Sequence, residues 1–320
     1  MSAPRADLPP AGDLPEAFRE LTRAARVEAE AGRFAAALER LAQARELAAA
    51  GGDQDLVDLA STYRAAILIE RREGDAEIPR LRAILVRNAE PRGCQFAAYN
   101  IARHYELTKN FKKAVFYARI ALERSLQVGD PAWSAKCHTM LGNGLLADSH
   151  LEAAIGEYEA ALRLMPGPTP VSDPNDDSDE HAAARATIRA NLGYCRALQG
   201  RLAESLALLY PAARVLRRFG VELHEMSARL DLSFALLQLE RCREAARHAR
   251  RALAMAESAD DRDGARNALY LLAEAANLAG DLAEARRCFA RLQQIFYPQQ
   301  PHLADFLLAV DVRKIINLHA

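Results

Sequence analysis

The chain repeats itself, and a repeat constrains a fold more tightly than any composition does. Six segments align: GRFAAALERLAQA from Gly32, KNFKKAVFYARIAL from Lys109, SHLEAAIGEYEAAL from Ser149, GRLAESLALLYPAA from Gly200, ERCREAARHARRAL from Glu240 and GDLAEARRCFARL from Gly280. Each runs from a turn residue or polar pair to an apolar residue, then to a small residue three positions on. An apolar residue and an alanine follow at helical spacing. The apolar markers are Phe34, Phe111, Leu151, Leu202, Cys242 and Leu282, with a degenerate copy at Ala76 (EGDAEIPRLRAILV). Successive intervals are 42, 35, 40, 51, 40 and 40 residues.

Ahead of most markers lies a second helical segment with its own small residue: Ala102, Gly142, Gly193, Ser233 and Ala273. This predicts helix–turn–helix units whose two helices cross at a small side chain, where backbones approach closely. Neither helix buries its apolar stripe alone, so neighbouring units must stack into a continuous core. Composition agrees with an all-α chain: half the residues are hydrophobic but only 6% aromatic, and 320 residues carry just 16 Gly and 14 Pro. Pro79 stands where the second unit needs its small packing residue, so that helix is expected to start at, or be distorted by, the proline.

The stretch LGxxxxxxxxLEAAIGEYEAALRLMP from Leu141 to Pro166 resembles the tetratricopeptide (TPR) repeat, and Leu192 to Ala213 resembles it almost as well. The resemblance covers residues 16–297 in seven repeats. It is nearest the long-repeat variety, with turns GGD at 51–53, GDP at 129–131 and ADD at 259–261. It implies an all-α, α-α superhelix, a TPR solenoid of about seven helix-turn-helix repeats with a C-terminal capping helix. The first helix of each pair would line a concave side that binds an extended peptide or a partner's helix.

The expected organisation is a disordered segment over 1–15, a TPR array over 16–297 and a C-terminal capping helix over 298–320. An acidic, proline-rich insertion at 166–180 interrupts the array and carries Asp173, Asp176, Asp177, Asp179 and Glu180. It reads as a solvated loop, or as a movable flap competing with an acidic ligand. The tail offers Leu303, Phe306, Leu307, Val310, Ile315 and Leu318 on one apolar face. Capping the last repeat is one use of that face, and a homodimer through the C-terminal helix is the other.

Lys+Arg total 42 and Asp+Glu 43, a formal net charge of −1. That balance excludes a strongly basic nucleic-acid binder and an acidic tail protein. No apolar h-region stands in MSAPRADLPPAGDLPEAF, and no stretch approaches the ~18 apolar residues of a membrane span, so a cytoplasmic protein is expected. Arginine outnumbers lysine 37 to 5, read as bacterial codon bias. Cys94, Cys137, Cys195, Cys242 and Cys288 are scattered and suit small buried hydrophobes. The histidines form no HExxH pair, and there is no P-loop, GxGxxG or GxSxG. Cys137 and His138 are neighbours, which on a helix point ~100° apart. The expectation is a non-enzyme that needs no cofactor.

Residues directly after the small crossing positions read Arg26, Leu68, Arg103, Asn143, Tyr194, Phe234 and Glu274. Flanking inner positions add Arg64, Arg71, Tyr99, Asn100, Lys136, Thr139, Asn191, Asn267 and Tyr270, among others. From these the candidate groove comprises Arg26, Arg64, Tyr99, Asn100, Arg103, Lys136, Asn143, Asn191, Tyr194, Phe234, Asn267 and Tyr270. Its first half is basic with few facing acids, suiting a partner with an acidic or C-terminal carboxylate element. Asparagine carboxamides offer donor and acceptor together and so pair with a peptide main chain. The resemblance supports Asn143 and Asn191 in that role, with Tyr99, Tyr194 and Phe234 as apolar anchors. Thr139 stands where a chaperone-binding TPR domain would place a lysine, which argues against a chaperone-tail receptor. Trp133 is expected to pack against the preceding turn.

The function expected is a non-catalytic protein- or peptide-binding scaffold or adaptor. The alternative is a ligand- or peptide-sensing regulator resembling the quorum-peptide receptors of Gram-positive bacteria. Those carry an N-terminal DNA-binding or helical-bundle module. The segment before the first repeat is too short for a helix-turn-helix domain, so regulation would run through a partner effector rather than through nucleic acid.

Overall fold

The computed structural model describes residues 15–87, 90–165 and 181–310. Within them the chain forms fifteen α-helices and one 3-10 turn, with no strand. The insertion at 166–180 and the tail positions Ile315 and Leu318 lie outside the described residues.

Six of the markers are the first residues of helices: Phe34 of α2 (Phe34–Ala50), Phe111 of α6 (Phe111–Val128), Leu151 of α8 (Leu151–Leu164), Leu202 of α10 (Leu202–Arg218), Cys242 of α12 (Cys242–Ala259) and Leu282 of α14 (Leu282–Phe296). Their partners in each pair are α1 (Glu16–Glu30), α5 (Pro91–Leu107), α7 (Pro131–Ala147), α9 (Ala182–Leu198), α11 (Glu222–Gln238) and α13 (Arg262–Leu278). The remaining pair is α3 (Gln54–Glu70) with α4 (Ile78–Arg87), the shortest second helix of a pair. There Asp75–Glu77 forms a 3-10 turn, and Pro79 takes the second position of α4, where its missing N–H costs nothing.

One device closes every pair. Two residues before each of those six markers the backbone is left-handed: Gly32, Lys109, Ser149, Gly200, Glu240 and Gly280 have φ between 56° and 78°. The next N–H then reaches back five residues, as in Asn110 to the Tyr105 carbonyl at 2.8 Å and Arg201 to the Arg196 carbonyl at 2.9 Å. These bonds occupy carbonyls that the helix end would otherwise leave open.

The helices group into two compact units, within residues 2–165 and 166–320. The first helices α3, α5, α11 and α13 are buried over much of their surface, whereas α1 and the second helices bury one stripe. In α12 that stripe is Ala245, Ala249, Ala252 and Ala256, each fully buried. Alanines at steps of four, three and four residues let helices approach closely, which is one use of the many alanines in the sequence. The crossing residues Ala102, Ser233 and Ala273 are likewise fully buried. A Cβ on Gly142 would meet the Tyr158 ring at 2.7 Å, and one on Gly193 would meet Leu209 at 2.7 Å.

In the second unit one core runs from Ala186 to Leu307. There α15 (Leu303–Ala309) lays Leu307 on α14's end, while Phe306 is left exposed. The described part of the expected 298–320 capping helix is thus seven residues long. Four cysteines are buried and all five are free thiols. No described helix is long and apolar enough to cross a membrane.

Candidate functional site

In the first unit, the structure corrects the reading of a basic face with few opposing acids. Arg64 pairs with Glu77 of the 3-10 turn, and Glu77 also takes Arg80 at 3.2 Å. Arg71 holds Glu73 at 2.7 Å. Arg103 clasps Glu70 of α3 with two nitrogens, at 2.7 and 3.1 Å, and holds Glu106 at 2.6 Å. Burial disfavours the Arg103 charge, but the Glu106 and Glu70 carboxylates more than offset it and push its pKa well up. The acids were legible in part: Glu106 follows Arg103 at the i,i+3 spacing that places both on one helix face. Glu77 sits 13 residues from Arg64 and meets it within one repeat, whereas Glu70 sits 33 residues from Arg103 and meets it only through stacking.

The asparagines of this unit also act between helices. Asn100, 7% exposed, donates its amide to the Thr62 carbonyl of α3 at 2.7 Å. Asn143 donates to Glu106 at 3.0 Å and accepts the Tyr158 hydroxyl at 2.8 Å. A chain of polar contacts therefore runs Glu70–Arg103–Glu106–Asn143–Tyr158 across α3, α5, α7 and α8. Both ends of the Asn143 carboxamide are taken within the fold, which corrects the expectation of an open carboxamide for a peptide.

Tyr99 and Lys136 meet at Trp133. The Tyr99 and Trp133 rings stand edge to face at 5.3 Å, and the Lys136 ammonium lies 4.5 Å over the indole. Trp133 is itself buried against Phe96 at 4.6 Å. The packing role expected for it is therefore met, but against first-helix aromatics. Arg26 is exposed and pairs with Glu30 one turn away at 3.0 Å.

In the second unit, Tyr194 of α9 and Phe234 of α11 are in ring contact, centroids 6.0 Å apart. Tyr194 is buried and Phe234 partly exposed. Burial, followed by the nearby Asp231 carboxylate, raises the Tyr194 pKa, so its hydroxyl stays protonated. Tyr270 of α13 is buried against Phe289 at 6.3 Å, a core contact. Asn191 and Asn267 are partly exposed, and the Asn267 oxygen accepts from Arg266 at 3.3 Å. Asp231 and Glu274, buried acids on α11 and α13, give this unit's first helices an acidic component that the groove set did not include. Among the described residues no three His, Cys, Asp or Glu side chains converge to hold a metal ion.

No family model matches the chain, and no curated protein matches it by sequence. Solved structures do match by fold. A Rap protein complexed with competence and sporulation factor superposes with a TM-score of 0.66 at 14% identity, covering 93% of this chain and 78% of that one. The Rap conjugation gene regulator of plasmid pLS20, in complex with a Phr peptide, gives 0.54 at 13% identity over 93% and 77%. Aspartyl phosphate phosphatase F from Bacillus subtilis gives 0.52 at 14% identity over 97% and 86%. At such identities the likeness establishes the fold, an all-α array of TPR-like repeats.

Proposed function

We propose that this chain is a non-catalytic, peptide- or protein-binding repeat protein that takes an extended segment or a partner helix on the first helices of its repeats. The observation that carries the reading is the pairing of Tyr194 with Phe234. Each follows the small crossing residue of its repeat, and their rings touch on consecutive first helices. Partly exposed Asn191 and Asn267 stand on the same run of first helices, where carboxamides suit a peptide main chain. Phe234, partly exposed and braced by the buried Tyr194 ring, is an aromatic anchor beside adaptable polar groups, the usual make-up of a binding hot spot.

Similarity to Rap structures solved with a factor or a peptide supports a peptide as the ligand class. The same similarity favours a second reading, a signal-sensing regulator in which peptide binding changes the action on a partner. On the first unit taken by itself, a carboxylate-bearing ligand would fall to Arg26 or Lys136 rather than to Arg64 or Arg103. The Arg26–Glu30 pair is exposed and worth less than ~1 kcal/mol, so a ligand carboxylate can displace it.

Selection of a random peptide library on the immobilised protein tests the reading. A consensus should emerge whose affinity falls about tenfold in Phe234→Ala and in Asn191→Ala. It should be unchanged in Arg250→Ala on the outward face of α12. No consensus, or one blind to both first-helix variants, overturns the proposal.

A further inference from the structure

Three of the chain's five lysines, Lys109, Lys112 and Lys113, stand together at the start of α6. In α10, α12 and α14 the position two after the marker is Glu204, Glu244 and Glu284, paired with Arg201, Arg241 and Arg287. A carboxylate there complements the positive end of the helix dipole. In α6 that position is Lys113, and the first turn has no acid at all. Lys112 and Lys113 form no ion pair among the described residues, so two like charges stand where α10, α12 and α14 place a neutralised one; α2 and α8 carry Ala36 and Ala153 there.

Beside them lies a fixed aromatic platform. Tyr105 of α5 and Tyr117 of α6 stack at 5.8 Å and 22°, and Arg82 of α4 donates to both hydroxyls, at 2.6 and 3.2 Å. Lys113 sits 5.1 Å over the Tyr105 ring. Phe116 meets the Tyr117 ring edge to face at 5.1 Å and is 59% exposed. Rigid aromatics ringed by cations cost little to order on binding, and an exposed phenylalanine gains by being covered.

We propose that this face of α4, α5 and α6 docks an acidic amphipathic helix of a partner protein. Its carboxylates would meet Lys112 and Lys113, and an apolar side chain would cover Phe116. The surface is separate from the first-helix face of the proposed function and does not depend on it. Charge complementarity sets the sign of the partner. The aromatic geometry favours protein over nucleic acid, because Tyr105 and Tyr117 already stack on each other and Lys113 lies over Tyr105, leaving no gap between the two rings for a base.

The probe is a fluorescein-labelled helical peptide with glutamates on one face and leucines on the other, titrated against the full chain. The controls are the same peptide with lysines for glutamates, and a labelled single-stranded DNA. The acidic peptide should bind, and its affinity should fall about tenfold in Lys112→Glu/Lys113→Glu and in Phe116→Ala. All three residues are surface-placed, and an unchanged melting temperature confirms that the variants fold. No binding of the acidic peptide, equal binding of the lysine peptide, or insensitivity to both variants overturns the proposal. So does preferential DNA binding. Light scattering adds one further arm: self-association of the wild type that these variants abolish would mean a second copy covers the face, also overturning it.

Discussion

The Tyr158 hydroxyl donates to the Asn143 carboxamide oxygen at 2.8 Å, and its ring lies against Gly142, where any Cβ would be 2.7 Å from Cε1. The glycine at the crossing of α7 and α8 thus makes room for the ring that ends the Glu70-to-Tyr158 polar chain. Gly142→Ala is expected to destabilise by ~1–3 kcal/mol through overpacking. Tyr158→Phe, which keeps the ring and loses the bond, should cost about 1 kcal/mol. Urea denaturation reads both, and the double variant should be non-additive because the two groups touch. A neutral Gly142→Ala would show that α8 shifts without cost.

Arg103 holds two partly buried carboxylates from two helices. Arg103→Met should leave Glu70 and Glu106 facing each other unneutralised, a loss of about 2 kcal/mol once partial solvent access is allowed for. Adding Glu70→Gln should recover part of it. Equal stability of the single and double variants would dismiss the clasp as a stabilising element.

Gly200 and Glu240 occupy the same left-handed turn position, with φ of 74° and 56°. Nothing lies within 4 Å of a Cβ on Gly200, so Gly200→Ala tests backbone strain alone. It should destabilise by about 1 kcal/mol, and Glu240→Gly should stabilise by a similar amount. Thermal melts of the two variants should move in opposite directions.

His248 of α12 is buried beside the Tyr210 ring at 5.7 Å and the Arg229 guanidinium at 3.5 Å. Burial first, then Arg229 and Arg247, lowers its pKa to about 4 from 6.5. Above the unfolded value both states hold a neutral ring. As pH falls below 6.5 the unfolded chain takes up the proton first, so stability drains away until about pH 4, by up to about 3 kcal/mol. The urea midpoint should fall between pH 7 and pH 4.5 in the wild type and fall less in His248→Gln. Parallel pH profiles would refute this.

The sequence by itself determined the architecture: the repeat period, the first residue of six second helices, the crossing residues and the irregular second pair around Pro79. These are local demands for a turn, a small side chain or an absent N–H, and one unit states them again and again, so they survive being read along a line. The insertion and the end of the tail fall outside what the structure describes, and the occupant of the first-helix face is a proposal. Only the tertiary structure decided which side chains face a ligand and which serve the stack. Arg64, Arg103, Asn100 and Asn143 stand at inner-face positions on a helical wheel, yet they bond to Glu77, Glu70, Thr62 and Tyr158. Periodicity gives the direction in which a side chain leaves its own helix. What it meets depends on the offset between that helix and its neighbour in the stack, which packing sets in three dimensions.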